Sequence, residues 1–353
     1  MTAIPLELPL KASEAASLAD LVFQQLEGRP LTDEQRTRMT ARAGGLELSS
    51  IRPFWGSLQH DPIHSATYYL AVDAMAVSDP TPKPLLLRMA LASAPSSALF
   101  PKAVLIGRMR PGAGREVVVN AIGFGPADKS AIQTFTEKVD PAFLPRAQGV
   151  HAALTFVPAA DPAQEIPTAF EIFHDLHKAT GLNLAVFEAP LEVCMWAAVR
   201  AGWRQGYGVV ARVTSAAEAL DRIGCSRFSA AAGEPAAHGA IYDAIRRQKI
   251  ALGLNRIFDY EVSGLEDPSE FVEALKEEGR FVQAWAPAWR EDTLEVRAAE
   301  ARRHNLTLTV EPPGDAVPDT VRRLTTAAGS RWNCVVRSLD ALRAAAEVLA
   351  PAI

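Results

Sequence analysis

The chain has 353 residues, of which 48% are hydrophobic and 22% are charged, and its formal net charge at pH 7 is −5. This composition is typical of a globular protein long enough for two domains. The negative net charge disfavours a nucleic-acid partner, because such partners usually need a basic surface.

Two further features of the sequence indicate the compartment. No uninterrupted apolar stretch reaches the roughly 18 residues of a membrane span, and no secretory signal pattern opens the sequence. The three cysteines, Cys194, Cys225 and Cys334, lack the short spacings of a disulfide framework or a zinc knuckle. We therefore expect a cytoplasmic protein with reduced thiols and no membrane partner.

The first part of the chain is predicted to form an α+β domain. Helices are expected over residues 13–26, from the capping residue Thr32 onward, and over 128–139. Between them the pattern is extended, with strands predicted at 66–77, 84–92, 102–109 and 116–122. A glycine-containing turn at 110–115 joins the last two strands, which predicts antiparallel pairing. The Pro- and Gly-rich segment 140–149 predicts a boundary between domains 1–148 and 149–353.

The second part of the chain repeats one unit eight times, an apolar run followed by a helical pattern. The predicted strands are 151–157, 183–188, 207–213, 227–231, 256–262, 281–285, 307–311 and 333–337. Helix-start signals follow several of them, at Asp161, Ser215, Asp267 and Ser338. Eight such units predict a C-terminal (β/α)8 barrel of the TIM type, preceded by the α+β domain. An open doubly wound sheet is the alternative, but no Gly-x-Gly-x-x-Gly follows any strand, so no nucleotide cofactor is expected.

In a parallel barrel, the side chains at the C-terminal ends of the strands meet in one pocket, which is where the chemistry is carried out. Polar residues at these ends are therefore the site candidates, together with His238 in the loop after the fourth strand. The predicted catalytic residues are Glu188, Asp259, Glu261 and Glu311, and the predicted substrate-binding residues are Arg212, Ser229, His238, Trp285 and Arg337.

The predicted pocket residues allow two kinds of chemistry. Converging carboxylates suit a divalent metal such as Mg²⁺, Mn²⁺ or Zn²⁺, and without a metal they can act as general acid and base. Arginines suit an anionic substrate group, through bidentate pairing. The structural alternative for each residue is a helix cap or an ion pair at the rim of the barrel.

One segment also carries a family likeness. The sequence from Trp196 to Gly208 reads Trp-Ala-Ala-Val-Arg-Ala-Gly-Trp-Arg-Gln-Gly-Tyr-Gly, and with residues 211–215, Gly224 and Phe228 it resembles the tagaturonate epimerase family. The resemblance implies a metal-dependent barrel enzyme that epimerises hexuronates. Where that family has an Asp- and His-containing metal motif, this strand reads Val-Val-Ala-Arg-Val over residues 209–213, so no metal ligand carries over.

These observations favour a sugar or sugar-acid isomerase or epimerase that transfers a proton next to a carbonyl. A metal-dependent aldolase or lyase is an alternative; a Schiff-base aldolase is disfavoured because no predicted strand ends in lysine. A non-catalytic barrel that binds a ligand or acts as a scaffold is the third hypothesis. The expected partner is a small anionic or sugar-like molecule, and the oligomeric state stays open, with a homo-oligomer among the options.

Overall fold

The computed structural model of the chain describes residues 51–61, 66–73, 83–92, 99–109, 116–149, 151–231 and 233–350. The helices predicted over 13–26 and from Thr32, and the turn at 110–115, lie outside these residues. The chain divides into two compact units, Met1–Phe143 with Ala198–Gly202 and Leu144–Ala197 with Trp203–Ile353. This division falls within the segment 140–149, while the domain limits at residues 148 and 149 stay a prediction.

The first unit contains a five-stranded antiparallel sheet, which includes the four predicted strands and one further strand that precedes them. Its strands are β1 (Ile51–Asp61), β2 (Ala66–Asp73), β3 (Lys83–Leu91), β4 (Val104–Met109) and β5 (Val117–Gly123), in the order β1-β2-β3-β5-β4. The short helix α1 (Lys129–Thr134) follows and continues into a π-helical turn (Phe135–Val139). Aromatic rings form the core of this unit, with centroids of neighbouring rings 5.6 to 6.1 Å apart: Tyr68, Phe100, Phe124, Phe135 and Phe143.

The second unit is the predicted eight-stranded parallel barrel. Its strands are β6 (Ala153–Phe156), β7 (Asn183–Phe187), β8 (Gly208–Val213), β9 (Arg227–Ala231), β10 (Asp259–Ser263), β11 (Ala284–Ala286), β12 (Thr307–Val310) and β13 (Trp332–Val336). Each strand pairs in parallel with the next, and β13 pairs with β6 to close the barrel. The prediction of a (β/α)8 fold is therefore confirmed.

Helices follow the barrel strands in turn. They are α2 (Pro162–Thr180), α3 (Leu191–Ala201), α4 (Ala216–Asp221), α5 (Pro235–Ala251), α6 (Ser269–Glu277), α7 (Leu294–Arg303), α8 (Val317–Ala327) and α9 (Leu339–Leu349). Three of the four predicted start signals cap a helix as expected: the side chains of Asp161, Ser215 and Ser338 each accept a backbone N–H from the first turn of the following helix. The fourth, Asp267, precedes Pro268, which is the N-cap of α6. None of the helices in the described ranges is long and apolar enough to cross a membrane.

The barrel wall separates two different environments. Side chains alternate between its faces, and the outer face carries the large apolar residues, such as Phe228, Tyr260 and Trp332, which are buried. The inner face carries mostly small and polar residues: Ala153, Thr155, Ala185, Gly208, Arg227, Ser229, Asp259, Glu261, Ala284, Thr307, Thr309 and Asn333. Phe187, Val210 and Val335 are larger apolar residues on the same face. Most of the apolar core therefore lies between the wall and the helices, and the barrel interior is mainly polar.

Candidate active site

A buried ion pair crosses the barrel interior. Glu261 on β10 pairs through Oε2 with the guanidinium of Arg227 on β9, and both side chains are more than nine-tenths buried. Thr309 on β12 completes the cluster, since its hydroxyl donates to Glu261 Oε2 at 2.6 Å and accepts from Arg227 Nη2 at 2.9 Å. Among the described residues, the other carboxylate oxygen, Glu261 Oε1, has no hydrogen-bond partner. One oxygen of this carboxylate is thus held in place while the other is available for chemistry.

Three of the predicted site residues lie side by side on the inner face of the wall. In the strand register, Arg212 on β8 is the partner of Ser229 on β9, and Ser229 is the partner of Glu261 on β10. Neighbouring strands in a sheet are about 4.8 Å apart. A guanidinium, a hydroxyl and a carboxylate therefore form one row, in which Ser229 and Glu261 are buried and Arg212 is exposed.

Arg212 is the cationic end of this row. It is exposed near the C-terminal end of β8, and its guanidinium carbon lies 5.2 Å from the centroid of the Phe187 ring. Within the described ranges of the chain, no carboxylate pairs with it. An exposed guanidinium without a carboxylate partner at this end of the barrel can bind an anionic group.

Glu188 and Glu311 lie at the C-terminal rim of the barrel, as predicted, but each faces an arginine. Glu188 follows β7, accepts the backbone N–H of Arg212, and pairs with Arg222 at 3.0 Å. It adopts a left-handed backbone with φ of +53°, which is rare for a residue other than glycine and is often found at functional sites. Glu311 follows β12 and pairs with the exposed Arg337, which follows β13.

The predicted position of Asp259 is wrong. The sequence placed it near the end of a strand over 256–262, whereas it is the first residue of β10 and lies at the N-terminal end of the barrel. Its carboxylate accepts the backbone N–H groups of Gln148 at 2.7 Å and Gly149 at 2.9 Å. Burial raises its pKa, and nearby Arg227 and the two N–H groups partly offset that rise. Asp259 thus anchors the segment that leads into the barrel.

The predicted positions of His238 and Trp285 are also wrong. His238 lies within α5, buried against the outer face of the wall, where its Nε2 donates to the Ala231 carbonyl at 2.9 Å and its Nδ1 lies 3.1 Å from the Tyr260 hydroxyl. Burial lowers its pKa, which favours the neutral ring. Trp285 occupies an outward position of β11, and its Nε1 donates to the Leu265 carbonyl at 2.9 Å. Both are held by structural hydrogen bonds away from the interior.

The carboxylates do not form a metal-binding cluster. In the part of the chain that the structure describes, no group of three or more His, Cys, Asp or Glu side chains could hold a metal ion. Glu188, Glu261 and Glu311 each face a different arginine instead. These residues do not fit a metal centre, so the divalent metal stays a prediction and no chemical step is assigned to it.

Sequence reasoning missed Arg227 and Thr309, the two residues that hold Glu261. The available signal was alternation: Arg-Phe-Ser at 227–229, Asp-Tyr-Glu at 259–261 and Thr-Leu-Thr at 307–309 place polar residues at every second position. In a barrel with a polar interior, such positions share the inner face. The rule that chemistry lies at strand ends does not include them.

Comparison with known proteins adds information on the fold. No protein-family model matches the chain, and no curated protein matches it. Among solved structures, the fructuronate-tagaturonate epimerase from Cohnella laeviribosi in a complex with one glycerol is similar, with 12% identity and a TM-score of 0.54 over 87% of this chain and 75% of that one. The native form of that epimerase matches with 11% identity and the same TM-score, over 86% and 75%. At this identity the likeness is evidence for the fold alone.

Proposed function

We propose that the barrel is an isomerase or epimerase of sugar acids that moves a proton on a carbon next to a carbonyl. The observation that carries the proposal is the inner row of Arg212, Ser229 and Glu261, with Glu261 Oε1 unpartnered among the described residues. The fold shared with an epimerase named for fructuronate and tagaturonate supports the same substrate class.

In the proposed reaction Glu261 is the general base. Its Oε1 takes the proton from the carbon, the C–H electron pair enters the new carbon–carbon double bond, and the carbonyl oxygen becomes the enediolate oxygen. To give the epimer, the opposite face of that carbon takes a proton from solvent, and Glu261 releases its own proton to solvent. To give the isomer, Glu261 returns the proton to the former carbonyl carbon, and the hydroxyl proton of the first carbon passes to the former carbonyl oxygen. Arg227 and Thr309 keep the carboxylate oriented through Oε2.

Arg212 binds the substrate carboxylate in this scheme, and Ser229 hydrogen-bonds a hydroxyl between the two ends of the row. Arg337 and Glu311 form the outer rim of the same opening. Glu188 and Glu311, the other predicted catalytic carboxylates at this end of the barrel, are the alternatives to Glu261 as the base.

Deuterium exchange tests the proposal without requiring that the product be known. Fructuronate and tagaturonate, incubated with the protein in D₂O, should exchange the hydrogen next to the carbonyl for deuterium, seen as loss of its proton NMR signal. Glu261→Gln should lower the exchange rate by about 100-fold or more, as expected for loss of a general base. The matched control is Glu295→Gln, which removes a carboxylate paired with Arg323 on the outer surface.

The outcomes separate the hypotheses. Unchanged exchange in Glu261→Gln contradicts the role of Glu261, and absence of exchange with both substrates contradicts the enzyme proposal. A non-catalytic sugar-acid binder is the second candidate. It is favoured because Glu188 and Glu311 are each paired with an arginine. It requires the substrates to raise the melting temperature of the wild-type protein without any exchange.

A further inference from the structure

A group of exposed apolar side chains lies at the N-terminal end of the barrel. We define the base patch as Ile250, Leu252, Leu254, Ile257 and Phe281. Ile257 is 70% exposed, Phe281 62% and Leu252 54%. All eight residues from 250 to 257 are exposed, and four of them are isoleucine or leucine. A fully solvated loop has no physical reason to carry so many large apolar side chains, so the patch indicates a contact surface.

The two parts of the base patch are neighbours. Residues 250–257 join α5 to β10, Phe281 precedes β11, and these two strands pair in parallel. The N–H of Gln283 donates to the Tyr260 carbonyl at 2.9 Å at the start of this pairing. Arg280, next to Phe281, also pairs with Asp243 of α5 at 2.7 Å. These bonds bring Phe281 beside the 250–257 segment.

The segment 250–257 has a fixed shape. Helix α5 ends in a Schellman turn, in which the N–H of Gly253 donates to the Ile250 carbonyl at 3.1 Å and that of Leu254 to the Lys249 carbonyl at 2.9 Å. Gly253 has a φ of +66°, the left-handed conformation this turn requires. The Asn255 side chain then accepts the N–H of Ile257 at 3.1 Å. An apolar surface held by such turns loses little conformational entropy when it is covered.

Charges of both signs flank the patch. The α5 side carries the exposed arginines Arg246, Arg247 and Arg256, and the C-terminal end of α6 carries the exposed glutamates Glu277 and Glu278, of which Glu278 pairs with Arg280. A surface that pairs with its own copy about a twofold axis must be self-complementary. An apolar centre with a basic edge and an acidic edge meets this condition, since a half-turn places each basic edge against the partner's acidic edge.

We propose that two copies of this chain form a dimer through the base patch. The apolar side chains of both copies form the centre of the interface, and the arginine and glutamate edges form its rim. The interface lies at the N-terminal ends of the strands, so it leaves the C-terminal opening of the barrel accessible. The proposal is independent of any catalytic role of Glu261.

Sedimentation velocity on the full chain tests the dimer. The wild-type protein should sediment as a dimer between about 1 and about 100 μM, a range in which specific interfaces of ordinary size are populated. Ile257→Asp buries an unpaired carboxylate in the interface, and should raise the dissociation constant by about 30-fold or more. Val296→Asp is the control, because Val296 is also 70% exposed but lies in the first turn of α7, at the other end of the barrel.

A charge swap tests the orientation. Arg256→Glu and Glu277→Arg should each weaken the dimer, and the double variant should recover it. Circular dichroism checks that the variants fold. We expect them to fold, because the substituted positions are exposed. A wild-type protein that is monomeric at 100 μM overturns the proposal and leaves the patch as a contact surface for a partner of different sequence. The proposal is also overturned if Ile257→Asp dimerises as strongly as Val296→Asp.

Discussion

Lys249 offers a sharp test of the barrel packing, because a charged amine lies in an apolar setting. It is on α5 and only 4% exposed, and its Nζ donates to the carbonyls of Ile223 at 2.9 Å and Cys225 at 2.8 Å. The ring of Phe228 lies 5.7 Å from the nitrogen. Burial lowers the pKa of Lys249 from its ordinary 10.5 to about 8. The folded protein therefore binds this proton less tightly than the unfolded chain does.

The sign and size of the effect follow from that difference. Below about pH 8 both states hold the proton, and the folded state bears the full cost of burying the charge. Between about pH 8 and pH 10.5 only the unfolded chain keeps it, so the free energy of unfolding rises with pH. The whole cost is about 3 kcal/mol, because each unit of pKa is worth about 1.4 kcal/mol. Roughly 2 kcal/mol of it should be recovered between pH 8 and pH 10.

Urea denaturation of the wild-type protein and of Lys249→Met at several pH values measures this slope. Five of the six tryptophans lie after residue 143, so tryptophan fluorescence follows mainly the barrel. The variant leaves two carbonyls without a donor, at a cost of about 1–3 kcal/mol, while it removes the buried charge. The two effects oppose each other at pH 7, so the test depends on the slope of the free energy of unfolding against pH.

In Lys249→Met the rise in the free energy of unfolding between pH 8 and pH 10 should be about 2 kcal/mol smaller than in the wild type. Buried thiols and tyrosines that are not coupled to Lys249 contribute equally to both proteins and cancel in the comparison. Burial raises the pKa of the neighbouring Cys225 thiol to about 11, so this thiol stays mostly protonated in the folded state over this range. Lys276→Met, which replaces an exposed lysine, is the control and should keep the wild-type slope. Parallel curves for the wild type and Lys249→Met would refute the reasoning.

Two further substitutions test the interior and the outer face of the wall. His238→Phe should cost about 1–3 kcal/mol, because Ala231 and Tyr260 lose their partner. It should also reduce the loss of stability as pH falls below 6.5, because it removes the part due to His238, whose lowered pKa lets the unfolded chain bind that proton first. A changed KM at unchanged stability would contradict this structural role. Arg227→Met should cost about 3–5 kcal/mol by leaving Glu261 buried and unpaired, and Arg227→Met/Glu261→Leu should recover much of it. Urea denaturation measures both, and a double variant no more stable than the single one would contradict the ion pair.

The fold could be predicted because its signals are local. Each strand is a short apolar run, and a capping residue such as Asp161, Ser215 or Ser338 starts the helix that follows. Eight repeats of this unit leave few alternatives to a closed parallel barrel. The C-terminal ends of the strands of a parallel barrel meet at one opening, which predicted the rim positions of Glu188, Glu311 and Arg337.

The remaining site positions depended on details that a repeat does not encode. The start of β10 three residues later than predicted moved Asp259 to the opposite end of the barrel, because Ile257 belongs to an exposed turn. The alternation of side chains directed Trp285 to the helices, since adjacent residues of a strand face opposite sides. His238 was predicted to lie in a loop, but α5 begins at Pro235 and buries it.

The sequence by itself determined the order of the elements, the closure of the barrel and the end at which polar residues gather. Only the tertiary structure decided which side chains share the interior and how they pair. Glu261 is 34 residues from Arg227 and 48 from Thr309 along the chain, yet all three form one hydrogen-bonded cluster. Such contacts depend on strand register across the closed sheet, which arises from packing of the whole barrel and leaves no mark in any single segment.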